Sequence, residues 1–190
     1  MDNKHKISAS KRLTLITRHK LDIYPHDKEG FVNIQDIFNS DFFPYQLTIN
    51  EVKYIVKTDN KDRFSLKELN GNTYIRSNQG HSSGTLDQEL LLTPINIPIE
   101  GCFHGTYTKN LDLIKKNGLS KMKRHHIHFA ESEFSKSGKR YDTNVKIYIN
   151  MGLAMIEGIK FYRSANNVIL TPGDSKGFLK PKYFSNIVVK

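Results

Sequence analysis

The hydrophobic residues of this chain recur at helical spacing in its first part and at strand-like spacing later, and this change limits what it can fold into. Ile7, Leu13, Ile16 and Leu21 give a rough helical stripe, which predicts a helix over about residues 8–20. After about residue 60, short apolar runs alternate with turn residues, a pattern typical of strands. The sequence therefore predicts an α+β fold.

A short second helix predicted around residues 35–39, a third helix and a hairpin complete the first half of the chain. Thr48 and Glu51 fit a capping box, which predicts that a helix begins there. Two strand-like runs, 63–66 and 73–76, flank Asn70-Gly71, a turn sequence typical of type I′ hairpins. Helices followed by a two-stranded wing indicate a winged-helix-like lobe, a shape often used on nucleic acids.

Pro94 and Pro98 indicate a stiff connector near the middle of the chain, because proline fixes the backbone and removes a hydrogen-bond donor. The predicted domains are therefore residues 1–92 and residues 93–190. The second should hold a mainly antiparallel sheet with strands over 101–107, 126–130, 145–150, 160–162, 168–171 and 186–189, and short helices over 111–117 and 151–157. A junction between two lobes is a favoured place for a ligand.

The charge of the chain favours an anionic partner. The net charge is +10 and the pI about 9.6, so nucleic acid is the first candidate, although a generally basic surface explains the charge equally well. Residues 1–90 carry 13 basic against 12 acidic side chains, whereas residues 91–190 carry 16 against 7. The excess positive charge therefore lies in the second half.

Several classes of protein are excluded or disfavoured by composition. No apolar run approaches the roughly 20 residues that cross a bilayer, and the first residues lack the apolar core of a secretory signal. A single cysteine, Cys102, excludes an intramolecular disulfide and a Cys-rich zinc site. We expect a cytoplasmic monomer with no membrane association.

Three short polar motifs offer groups for chemistry. Asn78-Gln79-Gly80-His81-Ser82 supplies donors beside a glycine that lets the backbone approach a ligand, but an ordinary polar turn has the same composition. His104-Gly105-Thr106 ends a predicted strand and is a weak signal alone. Arg124-His125-His126-Ile127-His128 suggests a metal site. Strand alternation places His126 and His128 on the face opposite His125, so we expect no metal there.

In order along the chain, these motifs and others resemble the RNA 2′-phosphotransferase family. The matching segments are Ser10-Lys11, Arg18-His19, Glu29 to Val32, Lys61 to Phe64, Ile75 to Ser82, His104 to Thr106, Arg124 to His128, Ser137 to Arg140 and Phe161 to Leu170. They span about residues 8–185. Two positions depart from the family pattern: Thr17, where Leu is more common, and Asn167, where Gly is usual.

The resemblance implies a fold and a reaction. The family joins an N-terminal winged-helix lobe to a C-terminal ADP-ribosyltransferase-like lobe. Its members transfer an internal RNA 2′-phosphate to NAD, which is a co-substrate. The reaction passes through an ADP-ribosylated 2′-phospho-RNA intermediate, then releases ADP-ribose 1″,2″-cyclic phosphate and leaves a 2′-hydroxyl. The expected partner is 2′-phosphorylated RNA, with tRNA as one candidate.

The resemblance also assigns roles to residues. The family's essential Arg-His-Arg-Arg set corresponds here to Arg18, His19, Arg63 and Arg124. The expected NAD contacts are His104, Gly105, Thr106, Gly118, Ser137, Gly138 and Arg140. The expected contacts to RNA phosphates are Lys11, Arg76, Asn78, Gln79, Gly80, His81 and Ser82.

Two alternatives remain open at this point. An ADP-ribosyltransferase that leaves ADP-ribose on a terminal phosphate of nucleic acid would use the same NAD site without the second step. A winged-helix binding protein without turnover would need neither the His104-Gly105-Thr106 motif nor the basic second half.

Overall fold

The computed structural model describes residues 2–82, 86, 88–139 and 142–190. The chain divides into two compact units, Met1–Leu91 and Leu92–Lys190. Both combine helices with antiparallel strands, so the predicted α+β class is confirmed. No helix among the described residues is both long and apolar enough to cross a membrane.

The described part of the first unit contains four α-helices: α1 (Asn3–His19), α2 (Ile34–Phe38), α3 (Ile49–Lys57) and α4 (Gln88–Leu91). Helix α1 begins five residues before the prediction because Asp2 caps it, its carboxylate accepting from the backbone N–H of His5. The predicted capping box of α3 is confirmed. Thr48 and Glu51 each accept from the other's backbone N–H, at 3.2 and 2.9 Å.

Among its described residues the first unit has three strands, β1 (Val32–Asn33), β2 (Phe64–Leu69) and β3 (Asn72–Ser77), with β3 in the centre. The predicted hairpin between β2 and β3 is confirmed. Asn70 and Gly71 have φ of 50° and 75°, and a type I′ turn requires two such left-handed residues. Helix α1 packs against β3, and Leu13 and Ile16 of α1 and Ile75 of β3 are fully buried, so the sheet and the helix share an apolar core.

The second unit is built mainly from short strands. They are β4 (Leu92–Pro94), β5 (Phe103–Thr106), β6 (Leu119–Ser120), β7 (Ile127–Phe129), β8 (Val145–Ile149), β9 (Tyr162–Ser164), β10 (Ile169–Thr171), β11 (Phe178–Leu179) and β12 (Phe184–Val189). Its two helices, α5 (Leu111–Asn117) and α6 (Met151–Ile156), lie where the sequence predicts them. The predicted strand over 160–162 is displaced, because the observed strand begins at its last residue.

All strand pairs in the second unit are antiparallel. One sheet has the order β4-β9-β10-β7 and another has the order β12-β8-β5. A bridge between Phe103 and Ala130, with N···O distances of 3.0 and 2.9 Å, joins β5 to the end of β7. The two sheets therefore enclose a shared core that includes the fully buried Phe129 and Ile147.

Two sequence features have structural explanations in this unit. Part of the predicted stiff connector is an edge strand, since Leu92–Pro94 pairs with β9; proline is tolerated there because an edge position needs no donor. Asn167 has φ of 59° in the turn between β9 and β10. Asparagine is one of the few residues that adopts this conformation at low cost, so it can replace glycine.

Candidate functional site

The last turn of α1 carries two of the predicted catalytic side chains. Arg18 is half-buried and His19 is exposed. The backbone N–H of Ser82 donates to the carbonyl of Arg18 at 2.9 Å, and the Oγ of Ser82 lies 3.0 Å from Nδ1 of His19. The structure therefore brings Arg18, His19 and Ser82 together, although 63 residues separate the last two.

Gly80 allows the segment 78–82 to pass close to Arg18. Its φ is +84°, and a Cβ atom built on it would lie 3.3 Å from Nη1 of Arg18. A larger residue at position 80 would therefore meet the guanidinium as well as adopt an unfavourable backbone conformation. Gly80 thus shapes the surroundings of Arg18.

Arg63 is fixed by a buried carboxylate that the sequence motifs did not single out. The backbone N–H of Arg63 donates to Oδ2 of Asp59 at 2.6 Å, and Nη1 of Arg63 forms an ion pair with Oδ1. The Asp59 side chain is only 5% exposed, against 31% for Arg63. The four-residue spacing from Asp59 to Arg63 is the one signal in the sequence that could have indicated this pair.

A cavity of about 460 Å³ beside α1 has both Arg63 and Lys11 in its wall. Lys6, Ser10 and Thr14, all from α1, also face it. Ammonium, guanidinium and hydroxyl groups are the donors that bind phosphate oxygens. The first unit therefore places the predicted phosphate ligand Lys11 in the same cavity as Arg63.

Asn78, predicted to bind RNA phosphate, has its side chain bonded to the protein. Its Nδ2 donates to the carbonyl of Asp62 at 2.7 Å, and its Oδ1 accepts from the hydroxyl of Ser65 at 2.6 Å. Its backbone N–H donates to the carbonyl of Arg63 at 2.8 Å. Asn78 is 5% exposed. Arg63 thus contacts one end of the 78–82 segment, and Arg18 approaches it at Gly80.

Arg76, also predicted to bind phosphate, is engaged by the protein as well. Its Nη1 lies 2.9 Å from Oε2 of Glu29, and its guanidinium carbon lies 4.7 Å from the centre of the Phe31 ring. The side chain is 13% exposed. Of the other predicted phosphate ligands, His81 is buried and Gln79 is half-buried.

In the second unit, β5 carries the first predicted NAD contacts. Nδ1 of His104 lies 2.8 Å from the carbonyl oxygen of His128. Since a carbonyl can only accept, Nδ1 carries the proton and Nε2 is the acceptor nitrogen of the neutral ring. The ring meets Phe129 edge-on, with 6.0 Å between centroids. Thr106, two residues on, is buried and lies 3.3 Å from Nδ2 of Asn110.

Glycines at the other predicted NAD positions are required by local packing. A Cβ atom on Gly118 (φ +96°) would overlap the carbonyl oxygen of Leu179, and one on Gly138 (φ +79°) would overlap that of Phe129. A Cβ atom on Gly105 would lie 2.9 Å from Oγ1 of Thr143. Gly118 and Gly138 therefore let backbone segments approach one another, and Gly105 leaves room for the Thr143 side chain. Ser137 is buried, and the predicted contact Arg140 lies outside the described residues.

Arg124, the fourth predicted catalytic residue, belongs to the second unit. It is half-buried and closes a turn in which its N–H donates to the carbonyl of Lys121 at 3.1 Å. Met122, within that turn, has φ of 55°, which is unusual for a residue other than glycine. Arg18, His19 and Arg63 lie in the first unit.

Of the histidines after Arg124, His126 is the most clearly affected by its surroundings. Burial lowers the pKa of His126 to about 4, and its ring meets that of Tyr162 with 6.0 Å between centroids. Among the residues that the structure describes, no three His, Cys, Asp or Glu side chains are grouped as metal ligands. Burial raises the pKa of the Cys102 thiol far above its usual range, which makes it a poor nucleophile.

Comparison with known proteins adds independent information. Residues 4–173 match the family model described as RNA 2′-phosphotransferase, Tpt1 / KptA family. The chain is 39% identical to mouse tRNA 2′-phosphotransferase 1 over 189 residues, which cover 94% of this chain and 75% of that protein. It is 38% identical to the human protein of the same name, with 94% and 74% covered. It is 34% identical to a probable RNA 2′-phosphotransferase of Hahella chejuensis, with 97% and 96% covered.

Proposed function

The chain belongs to the RNA 2′-phosphotransferase, Tpt1 / KptA family and removes a 2′-phosphate from RNA, and we propose that it transfers this phosphate to NAD in two steps. In the first, an oxygen of the RNA 2′-phosphate forms a bond to C1″ of the nicotinamide ribose, and nicotinamide leaves with the electron pair. In the second, the ribose 2″-hydroxyl attacks the phosphorus, and the bond to the RNA 2′-oxygen breaks. The products are ADP-ribose 1″,2″-cyclic phosphate and RNA with a 2′-hydroxyl.

We also propose a division of labour between the two units. We assign the first unit to a winged-helix-like lobe that holds RNA, on the basis of its helices and its β2-β3 wing. We assign the second to an ADP-ribosyltransferase-like lobe that holds NAD, on the basis of its two joined antiparallel sheets. The excess of basic over acidic residues after position 90 suits the pyrophosphate of NAD.

Arginines are suited to both steps. A 2′-phosphate is largely ionised near pH 7, so the first step depends more on positioning than on deprotonation. We assign Arg18, Arg63 and Arg124 to its oxygens, where guanidinium groups form forked, charge-assisted hydrogen bonds. The same groups would stabilise the charge that develops around phosphorus in the second step. The observation that carries this assignment is that Arg18 and Arg63 both flank the 78–82 segment.

His19 is the proposed proton-transfer residue. In the second step the 2″-hydroxyl loses a proton and the departing RNA 2′-oxygen gains one. An imidazole titrates near neutral pH and can do both. The 3.0 Å contact between Nδ1 of His19 and Ser82 supports this role, since it orients the ring and directs Nε2 away from the serine.

The groups around β5 fit a nucleotide co-substrate. In the neutral His104 ring, Nε2 is the acceptor and suits a ribose hydroxyl, because Nδ1 is committed to the carbonyl of His128. Thr106, Ser137 and Arg140 would add a hydroxyl pair and a guanidinium. Gly118 and Gly138 would shape the site through their close backbone packing, and Gly105 through its contact with the Thr143 side chain. NAD supplies the glycosidic bond that is broken and the hydroxyl that captures the phosphate.

The remaining proposed contacts concern RNA. We assign Lys11, Gln79, Gly80, His81 and Ser82 to backbone phosphates. Lys11 faces the same cavity as Arg63, and the other four continue from the segment that Arg18 and Arg63 flank. Arg76 and Asn78 were predicted in the same set, but their contacts with Glu29, Asp62 and Ser65 make a direct role less favourable.

The test is a single-turnover incubation with NAD and an oligonucleotide that carries one internal 2′-phosphate. We expect nicotinamide, ADP-ribose cyclic phosphate and a 2′-hydroxyl product. Arg18→Ala, Arg63→Ala and Arg124→Ala should each slow product release about 10²–10³-fold, the usual cost of a lost transition-state donor. Arg12→Ala, which removes a cation from α1 outside the proposed site, is the control. A persistent adduct from the unaltered enzyme would instead favour ADP-ribosylation alone.

A further inference from the structure

The turn over residues 59–63 presents Arg63. Two buried polar side chains hold it, Asp59 at its start and Asn78 later in the chain. Asp59 lies before the turn and contacts both the backbone N–H and the guanidinium of Arg63. Its backbone carbonyl also accepts from the N–H of Asp62 at 3.0 Å. Asp59 therefore holds the backbone N–H groups of Asp62 and Arg63 and also the guanidinium of Arg63.

Asn78, the residue that follows β3, holds the same turn from the other side of the hairpin. Its side-chain amide donates to the carbonyl of Asp62, and its backbone N–H donates to the carbonyl of Arg63. Ser65 completes the arrangement by donating to Oδ1 of Asn78. The donor of the Asn78 amide thus bonds to Asp62, before Arg63 in the chain, and its acceptor bonds to Ser65, after Arg63.

Local bonds also stabilise the conformation of this turn. Asp62 has φ of 45°, in the left-handed region that aspartate and asparagine enter more readily than other residues with a Cβ atom. Residues in this conformation persist where the surrounding structure holds them. Asn78 bonds to the carbonyl of Asp62, and Asp59 bonds to the N–H groups of Asp62 and Arg63. These bonds supply that restraint.

Arg63 can be held and still bind a phosphate. A guanidinium has five N–H donors on three nitrogens, and the ion pair with Asp59 engages Nη1. The Arg63 side chain is 31% exposed, whereas that of Asp59 is 5% exposed. The pair therefore anchors one edge of the guanidinium in the protein and leaves part of the group accessible.

From these contacts we propose that Asp59 and Asn78 are positioning residues for Arg63, which hold its guanidinium where it meets the reacting phosphate. The inference rests on the proposed role of Arg63. It replaces the predicted phosphate contact of Asn78 with an indirect role. It also assigns a role to Asp59, for which the sequence motifs give none.

A double-mutant cycle tests the inference. Single-turnover rates of 2′-phosphate removal are measured for Asn78→Ala, Arg63→Ala and the double variant. We expect Asn78→Ala to lower the rate constant about tenfold with little change in the KM for RNA. The double variant should be no slower than Arg63→Ala, because Asn78 has nothing left to position. Multiplied losses would mean that Asn78 acts on substrate directly or on the fold in general, and would overturn the proposal.

Asp59 offers a graded version of the test. Asp59→Asn keeps an oxygen for the Arg63 N–H but loses the charge that pairs with the guanidinium, whereas Asp59→Ala loses both. We expect a larger rate loss for Asp59→Ala than for Asp59→Asn, and neither loss in the Arg63→Ala background. Equal activity of Asp59→Ala and the unaltered enzyme would contradict the role.

Two further variants separate positioning from loss of fold. Ser65→Ala removes only the hydroxyl that donates to Asn78, so it gives a milder test if Asn78→Ala does not fold. Thr73→Val removes another buried hydroxyl of β3, one that bonds to Glu68 rather than to the Arg63 turn, and should leave the rate unchanged. A slow Thr73→Val would point to general loosening of the hairpin and overturn the specific role.

Rates of the variants distinguish a wrong role for Arg63 from a wrong positioning role for Asp59 and Asn78. Full activity of Arg63→Ala would remove the assigned role of Arg63 and the positioning inference together. Impaired Arg63→Ala, combined with unimpaired Asn78→Ala and Asp59→Ala, would overturn the positioning inference alone.

Discussion

Thr17 and Ser77 share a hydrogen bond of 2.6 Å between their hydroxyl oxygens, in the fully buried interior of the first unit. Thr17 donates its own proton to the carbonyl of Leu13 at 2.8 Å, so Ser77 must be the donor to Thr17. Thr17 directly precedes Arg18, and Ser77 directly precedes Asn78. This bond therefore joins the end of α1 to the end of β3 immediately before both reach the proposed site.

The stability of the first unit should depend on this pair in a non-additive way. Thr17→Val leaves the Ser77 hydroxyl buried without its acceptor, which costs about 1–3 kcal/mol, and Ser77→Ala costs about 1 kcal/mol. The double variant should lose less than the sum, because no buried donor then lacks an acceptor. Urea unfolding of the four proteins measures the coupling; strictly additive losses would show that the bond contributes nothing.

The rate of the second chemical step should depend on His19 and, more weakly, on Ser82. His19→Gln removes the proposed proton-transfer group and should slow that step about 10²–10⁴-fold. Ser82→Ala removes only the bond that orients the ring, about 1 kcal/mol or roughly a fivefold loss. Rapid-quench analysis of the adduct and the final product distinguishes the steps. Ser40→Ala, elsewhere in the first unit, is the control, and an unchanged second step in His19→Gln would refute the assignment.

Gly118 should be much less tolerant of alanine than Gly158, although both have positive φ, +96° and +89°. A Cβ atom on Gly118 would overlap the Leu179 carbonyl, whereas one on Gly158 meets nothing within 4 Å. We expect Gly158→Ala to cost about 1–2 kcal/mol from backbone strain alone. Gly118→Ala should cost about 1–3 kcal/mol more, through overpacking. Equal urea-unfolding midpoints for Gly118→Ala and Gly158→Ala would contradict the close approach of Gly118 to the Leu179 carbonyl.

The second unit should lose stability on acidification through His126. Burial lowers its pKa to about 4 from the 6.5 of an ordinary histidine, so the unfolded chain binds a proton that the folded chain refuses. The free energy of unfolding has the full contribution of this group above about pH 6.5. It falls by on the order of 2 kcal/mol as the pH drops towards 4. His126→Asn should show a smaller fall between pH 7 and 4.5 than the unaltered protein; an identical fall would exclude His126 as the cause.

Local chemistry in the sequence determined several elements of this protein. The capping box of Thr48 and Glu51 and the Asn70-Gly71 turn operate over four residues or fewer, so their structures can be predicted from sequence alone. The same holds for the end of α5, where Gly118 takes a positive φ. The motif order along the chain was also sufficient to indicate the family, which the comparisons confirm.

Tertiary structure alone decided how the proposed site is supported. The bonds between Thr17 and Ser77, and between Asn78 and Asp62, join residues 60 and 16 positions apart. No local pattern specifies such a pair, because a buried hydroxyl or amide takes its partner from whatever the folded backbone brings near it. From sequence, Asn78 was indistinguishable from a phosphate ligand. The partners of its buried amide, Asp62 and Ser65, are decided by the folded structure, which brings the end of β3 beside the turn that begins at Asp59.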